Sequence, residues 1–246
     1  MSLKDKVAVV SGASRGIGRA TAIALAARGA SVAVVYREQR ETAQTVIDEI
    51  RGAGGRAHAF QADVSRADSV HALADAIANE RGRIDILVNN AGVYGARPIG
   101  ELDAAFFDEQ FHHNALSVML MTQAFEPLFG AAGGSIVNVS SNLARAPTAE
   151  AGVYSASKAA VDALTRAFAL ELGPRRIRVN AVAPFITRTD MTAGIPQAHL
   201  DQARERTPLG RLADPEDIAN VIAALVSPDM AWVTGRSLLT DGGFTD

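Results

Sequence analysis

Tyr154 and Lys158, four residues apart in Tyr154-Ser155-Ala156-Ser157-Lys158, are residue types from which proton-transfer chemistry is built. On a helix they share one face. An ordinary phenol has a pKa near 10 and keeps its proton at neutral pH. A fixed ammonium beside it favours the phenolate and lowers that value. Such a pair can give a proton to a developing alkoxide or take one from an alcohol. An isolated Tyr-x-x-x-Lys also describes a surface helix with a solvated lysine. The pair therefore acquires meaning only from the elements that position it.

Length and composition bound those elements. A chain of 246 residues holds one large α/β domain or two small ones. Hydrophobic residues make up 48% and charged residues 21%, the balance of a globular chain rather than a disordered one. A net charge of −3 gives no reason to expect nucleic acid or an anionic membrane as partner. The absence of cysteine excludes disulfides and thiolate chemistry and fits a reducing compartment. Met1 to Lys6 is polar and lacks a secretory h-region, and no apolar run reaches membrane-spanning length. Cytoplasm is the expected location. His112 and His113 are adjacent and have no third ligand at metal spacing, so they read as surface or interface residues and no metal is expected.

The chain then reads as alternating strands and helices. Val7-Ala8-Val9-Val10 is an apolar run suited to a strand buried on both faces. Gly12-Ala13-Ser14-Arg15-Gly16-Ile17-Gly18 follows, and then an alanine-rich helix from Arg19 to Arg28, stopped at Gly29. Strand, glycine turn and helix present free backbone N–H groups and a positive dipole end to a phosphate. A second strand, Ser31 to Tyr36, ends in Tyr36-Arg37, where a cofactor with a free ribose 2′-hydroxyl usually meets an acid. Arg37 and Arg15 could instead clamp a 2′-phosphate, which favours NADP over NAD. Solvated surface arginines are the plainer alternative. A helix from Glu38 to Arg51 and a third strand, Arg56 to Ala62, lead to Asp63-Val64. Asp63 either accepts a bond from an adenine amino group or caps the following helix, Arg66 to Glu80. The fourth strand, Ile84 to Val88, ends in Asn89-Asn90-Ala91-Gly92, with Asn89 read as a turn residue and Asn90 to Gly92 suited to lie against a flat cofactor.

The second half continues the pattern. Two helices, Asp103 to His112 and Asn114 to Phe129, meet near Asn114, where an unwound carbonyl or a water can be held. A fifth strand, Ser135 to Ser141, carries Ser141 to the carboxyl edge of the sheet, where open α/β folds place ligands. The Tyr154 helix follows and has a small-residue face of Ala156, Ala160, Ala163 and Ala167, suited to packing within the chain or to an oligomer contact. The sixth strand, Ile177 to Val182, runs into Pro184, Phe185, Thr187 and Thr189. Residues 189–208 are polar and irregular and read as a mobile lid. A helix begins at Asp214-Pro215-Glu216, and Ser237 to Thr240 is the last strand. This succession predicts one doubly wound (Rossmann) α/β domain over 1–246, a parallel sheet of about seven strands with helices on both faces.

Taken together, Gly12-x3-Gly16-x-Gly18, Asn89-Asn90-Ala91-Gly92, Asn114, Ser141, Tyr154-x3-Lys158 and Asp241-Gly242-Gly243 resemble the short-chain dehydrogenase/reductase family, in the branch that holds 3-oxoacyl carrier-protein reductases. The resemblance covers nearly the whole chain. It implies an NADP(H)-dependent oxidoreductase moving hydride between nicotinamide and a carbonyl or secondary alcohol. By that resemblance Tyr154 is the acid/base, Lys158 lowers its pKa and binds the nicotinamide ribose, and Ser141 bonds the substrate oxygen. Asn114 matches the asparagine that holds a water in a proton relay. Gly12, Ser14, Arg15, Gly16, Ile17, Gly18, Tyr36, Arg37, Asp63, Val64, Asn90, Ala91, Gly92, Pro184, Thr187 and Thr189 would contact the cofactor beside Tyr154 and Lys158. A homotetramer or homodimer is expected, since the family commonly forms tetramers through its long helices and C-terminal segment. Three features depart from the family pattern. Pro184-Phe185 stands for the usual Pro-Gly, and Ser11 for a threonine. Gly130-Ala131-Ala132-Gly133-Gly134 carries none of the basic residues that dock an acidic carrier protein, although Arg175 and Arg176 remain nearby. A sugar or polyol dehydrogenase, a reductase of cyclic or aromatic ketones, and a non-catalytic cofactor-binding sensor or scaffold are the alternatives.

Overall fold

The apolar runs form the middle layer of the molecule. In the computed structural model, which describes residues 2–244, the strands are β1 (Val7–Val10), β2 (Ser31–Tyr36), β3 (Arg56–Gln61), β4 (Ile86–Asn89), β5 (Gly134–Val139), β6 (Ile177–Pro184) and β7 (Ser237–Thr240). Among the described residues they make one seven-stranded sheet, all pairs parallel, in the order β3-β2-β1-β4-β5-β6-β7. The order reverses between β1 and β4, and at such a switch point the loops leaving the carboxyl ends diverge and open a crevice.

Strand side chains alternate between faces. Ala8, Val10, Val32 and Val34 therefore join one core layer, with α1 (Gly16–Ala27), α2 (Arg40–Gly52) and α8 (Pro215–Val226). Val9, Ala33, Val35 and Leu87 join the other, with α3 (Ala67–Arg81), α5 (Ser117–Phe125) and α6 (Gly152–Leu172). Leu25 and Phe125 are fully buried in opposite layers. Each contributes about 1.5–3 kcal/mol through burial. Glycine punctuation ends two of the helices: Gly29, as expected, takes φ +100 after α1, and Gly82 takes φ +72 after α3.

The structure refines the local reading at four places. Asn89 is no turn residue: it is the buried last residue of β4, and its amide donates to Asn138 Oδ1 at 2.9 Å. Residues 189–208 are not wholly irregular, because they hold a short turn at Asp190–Thr192 and a further helix, α7 (Gln197–Glu205). Ala203 is the one buried residue of α7, so its sequence carries no apolar stripe to betray it. The junction at Asn114 is a π-turn, His112–Leu116, between α4 (Ala104–Phe111) and α5. The small face of α6 is not packed inside the chain: Ala156, Ala163 and Ala167 are exposed, and Leu170 beside them is 83% exposed.

Candidate active site

The glycine turn leaves β1 and closes directly on β4. Gly12 adopts φ +62 and Gly16 φ +55, a region L side chains rarely enter. A Cβ on Gly18 would collide with the Gly12 carbonyl and the Asn90 amide, so glycine there is a requirement of close approach. The two loops are tied together by side chains. Asn90 Nδ2 donates to the carbonyls of Ser11 at 2.9 Å and Gly12 at 3.1 Å. Ser11 Oγ accepts from the backbone N–H groups of Asn90 and Ala91, both at 3.0 Å. Helix α1 starts behind this turn with no side-chain cap and no acid in its first turn. Its N–H groups and dipole therefore remain available to an anion. Ser14 is buried within the turn, and Ile17 is half-buried against the core.

Other expected contact residues surround the same crevice. A Cβ on Gly16 would lie 3.2 Å from Thr189 Cγ2, so the segment after β6 meets the glycine turn. Arg15 bridges the same gap, its guanidinium 3.5 Å from the Asp190 carboxylate in an exposed pair. Thr189 caps the Asp190–Thr192 turn reciprocally with Thr192. The Thr187 hydroxyl is spent on the Phe185 carbonyl, and Pro184 is the buried end of β6. At the end of β2 the Tyr36 ring is buried in the core, whereas Arg37 is exposed and pairs with Glu38 at 2.9 Å. Asp63 Oδ1 accepts from the backbone N–H of Ser65 at 3.0 Å and its hydroxyl at 2.6 Å, a local turn ahead of α3. Burial pushes the Asp63 carboxyl up, but the Ser65 bonds, Arg37 and His113 together hold it below the ordinary value. Val64 is buried in the α3-side core.

Tyr154 and Lys158 enter from α6, whose first turns lie against the carboxyl end of β5. Lys158 Nζ donates to the Val139 carbonyl at 2.9 Å, and Ser140 Oγ donates to the Lys158 carbonyl at 3.2 Å. These bonds pin the lysine to the end of β5. Its Nζ stands 5.8 Å from the centre of the Tyr154 ring. Asn114, fully buried, clasps Val93 at two points: Oδ1 accepts from its N–H at 2.9 Å and Nδ2 donates to its carbonyl at 3.0 Å. The same Nδ2 donates to Ser157 Oγ at 3.0 Å, and Ser157 donates to the Tyr154 carbonyl at 2.7 Å. A Cβ on Gly92 would fall 2.8 Å from Asn114 Oδ1 and 3.4 Å from Lys158 Nζ. Asn114, Ser141, Tyr154, Lys158 and the Asn90–Gly92 loop thus meet at one place.

Burial decides the protonation of the pair. It pushes the Tyr154 phenol up to about 12, against a lowering hydrogen bond from Ser141, while Tyr94 adds to the rise. Burial pushes Lys158 down to about 8, partly opposed by Asp162. Net of its neighbours, the phenol stands above its ordinary value rather than below it. Both groups share a dry pocket that disfavours either charge, and the ammonium is turned to a carbonyl. The pocket holds a protonated phenol: a donor first.

Sequence reasoning overlooked several residues of this neighbourhood. Ser157 lies inside the Tyr154–Lys158 motif and could have been found from its three-residue spacing to Tyr154. Ser11 looked like a mere substitution, yet it ties the two loops. The loop near Tyr94 reads from the sequence as a substrate-deciding segment, but not this contact: the Tyr94 ring, 46% exposed, lies edge-on to Tyr154 at 5.0 Å. Among the described residues no group of three His, Asp or Glu is placed to hold a metal ion.

Residues suited to a dinucleotide are thus present: an uncapped helix start, glycines that leave no room for Cβ atoms, and a lysine and a phenol in the same crevice. Comparison with known proteins bears on this arrangement. Residues 12–245 match the family described as enoyl-(acyl carrier protein) reductase. The chain is 43% identical over 243 residues to cis-4-hydroxycyclohexanecarboxylate dehydrogenase of Sinomonas cyclohexanicum, covering 98% of this chain and 97% of that one. It is 40% identical to a short chain dehydrogenase of Burkholderia cenocepacia solved in complex with NADP, with a TM-score of 0.92 and 99% of each chain covered. A 7α-hydroxysteroid dehydrogenase solved with NADH and 7-oxo glycochenodeoxycholic acid is 36% identical, with a TM-score of 0.96 over 99% of this chain and 96% of that one.

Proposed function

Because this chain belongs to the short-chain dehydrogenase/reductase family, we propose that it is an NADP(H)-dependent reductase of ring ketones, reversible as a secondary-alcohol dehydrogenase, with Tyr154 as the acid/base. The observation that carries this reading is the convergence of Tyr154, Ser141, Lys158 and Asn114 beside the Gly12–Gly18 turn. When bound, the nicotinamide supplies the hydride, or accepts it in reverse. The chain's own residues supply the rest. The phenol, held protonated by burial, donates to the substrate oxygen as negative charge grows there. Ser141 offers a second donor to that oxygen, and such donors gain most where water is excluded. Lys158 binds the ribose hydroxyls and keeps a positive charge near the phenol. Asn114 orders the Val93 loop and, through the π-turn, the path by which the proton is replaced.

Support for a ring substrate comes from two sides. Two relatives are named for ring alcohols or ketones, one a cyclohexane carboxylate and one a bile acid. In this chain the exposed Tyr94 ring stands against Tyr154 and offers a flat apolar wall. A carrier-protein thioester has less to dock on. Residues 130–134 hold no base, and Arg175 is occupied by Glu126 and by the carbonyls of Glu126 and Phe129. NADP is favoured over NAD by the exposed Arg15 and Arg37, and by Tyr36-Arg37 rather than an acid closing β2. A homotetramer is the assembly we favour, since α6 leaves Ala156, Ala163, Ala167 and Leu170 uncovered and α5 leaves Met119 exposed. The cytoplasm is the location we favour on the cysteine-free composition. The test is NADPH consumption, with NADH in parallel, against cyclohexanones, tetralones, β-keto thioesters and sugars. The reading expects ring ketones to be turned over best, and a sugar preferred over every ketone would overturn it.

A further inference from the structure

Segment 189–208 is held at its two ends by unlike means. The upstream end is capped by Thr189 and Thr192 beside Gly16. The downstream end rests on the turn after β7. There Gly242 at φ +67 and Gly243 at φ +82 reverse the chain. Leu209 N–H donates to the Gly242 carbonyl at 3.3 Å. A Cβ on Gly242 would lie 2.7 Å from Thr207 Cγ2, and one on Gly243 would lie 3.2 Å from Pro208 Cγ. This reversal brings Phe244 back over Phe185, the residue after the last of β6. The rings stack at 3.8 Å between centres and 21° between planes. The guanidinium of Arg206, one residue past α7, lies 4.7 Å from the centre of the Phe244 ring.

We propose that Phe244 is a positioning residue for the reaction: stacked on Phe185 and held by Arg206, it latches the downstream end of 189–208 over the crevice and so sets the affinity for the carbonyl substrate. This rests on the oxidoreductase reading above. Two facts point to the stack rather than to general packing. Helix α7 buries only Ala203. A cavity of about 120 Å³ is lined by Phe185, Thr207 and Leu209, so little else packs there.

The test compares Phe244→Ala, Phe244→Tyr, Phe185→Ala and the double alanine variant with the wild type. The readouts are KM and kcat for a ring ketone, NADPH affinity by fluorescence titration, and amide hydrogen exchange over 197–209. Phe244→Ala is expected to raise KM about five- to tenfold, the scale of one aromatic contact, with kcat and NADPH affinity changed by less than about twofold. Phe244→Tyr restores KM, the double variant is no worse than the worse single, and exchange over 197–209 quickens in each alanine variant. An unchanged KM in Phe244→Ala, or effects of the two single variants that multiply, overturns the proposal. A wild type that reduces no ketone defeats the functional reading instead. The latch is then judged by exchange alone, and unchanged exchange in Phe244→Ala overturns it.

Discussion

The two ends of the crevice are built from different materials. At the β1–β4 end, glycine backbone leaves no space for a Cβ: Gly12 fits against the Ala91 backbone, and Gly18 against the Gly12 carbonyl and the Asn90 side-chain amide. At the β6–β7 end, side chains stack on side chains: Phe185 on Phe244, with Arg206 above. A backbone contact admits few alternatives, because any added atom collides. A side-chain stack can be exchanged for another of similar area. The first end therefore suits a task that does not change, holding the same dinucleotide. The second suits one that does, choosing the carbonyl.

This contrast is sharpest at Gly18. Gly18→Ala drives a Cβ into the Gly12 carbonyl. We expect a loss of about 2–4 kcal/mol in urea denaturation and an NADPH affinity at least about tenfold weaker, since the turn must open to admit the methyl group. A variant that keeps both would show the β1–β4 end to be as forgiving as the other.

Lys158 tests the pocket between the two ends. Its folded value is about 8, against 10.5 in the unfolded chain. Between those values the unfolded chain binds more protons, so stability rises with pH across that window and the penalty is fully present below it. Lys158→Met carries no charge. It is expected to be more stable than the wild type at pH 7 by about 1–3 kcal/mol, offset in part by the lost bond to the Val139 carbonyl. That advantage shrinks as pH rises from about 8 toward 10.5 in thermal melts. Tyr154 does not blur the window: its value is raised, so its contribution is intact below about 10 and is lost only as pH climbs toward 12. A gap that stays constant with pH would mean the buried amine is not the cause.

The smallest effect is expected at the solvent-facing rim. Arg37→Asp should weaken NADPH binding about tenfold and leave NADH within about twofold, measured by fluorescence titration at low salt. Equal effects on both cofactors would remove Arg37 from the phosphate site.

What the sequence disclosed follows the same division. The succession of strands and helices, the parallel sheet and the glycine turn were readable because they rest on strong local signals: β-branched runs, and glycines between a strand and a helix. The meeting of Asn114, Ser141, Tyr154 and Lys158 was readable only as a set of motifs carried on the expected elements. Helix α7 was hidden because one buried alanine makes no stripe. The Phe185–Phe244 stack was hidden because it joins residues far apart in the chain through a two-glycine reversal. The depth of Tyr154 and Lys158 was hidden because spacing reports a neighbouring ammonium but not the burial that shifts both groups.

The proposed mechanism turns on a buried, protonated phenol at Tyr154 that delivers the proton. The most direct measurement is single-turnover reduction of a ring ketone by Tyr154→Phe, with NADPH affinity measured on the same sample. We expect turnover to fall by about a hundredfold or more while NADPH affinity changes by less than about twofold. Turnover within a few-fold of the wild type, with the cofactor bound equally well, would contradict it.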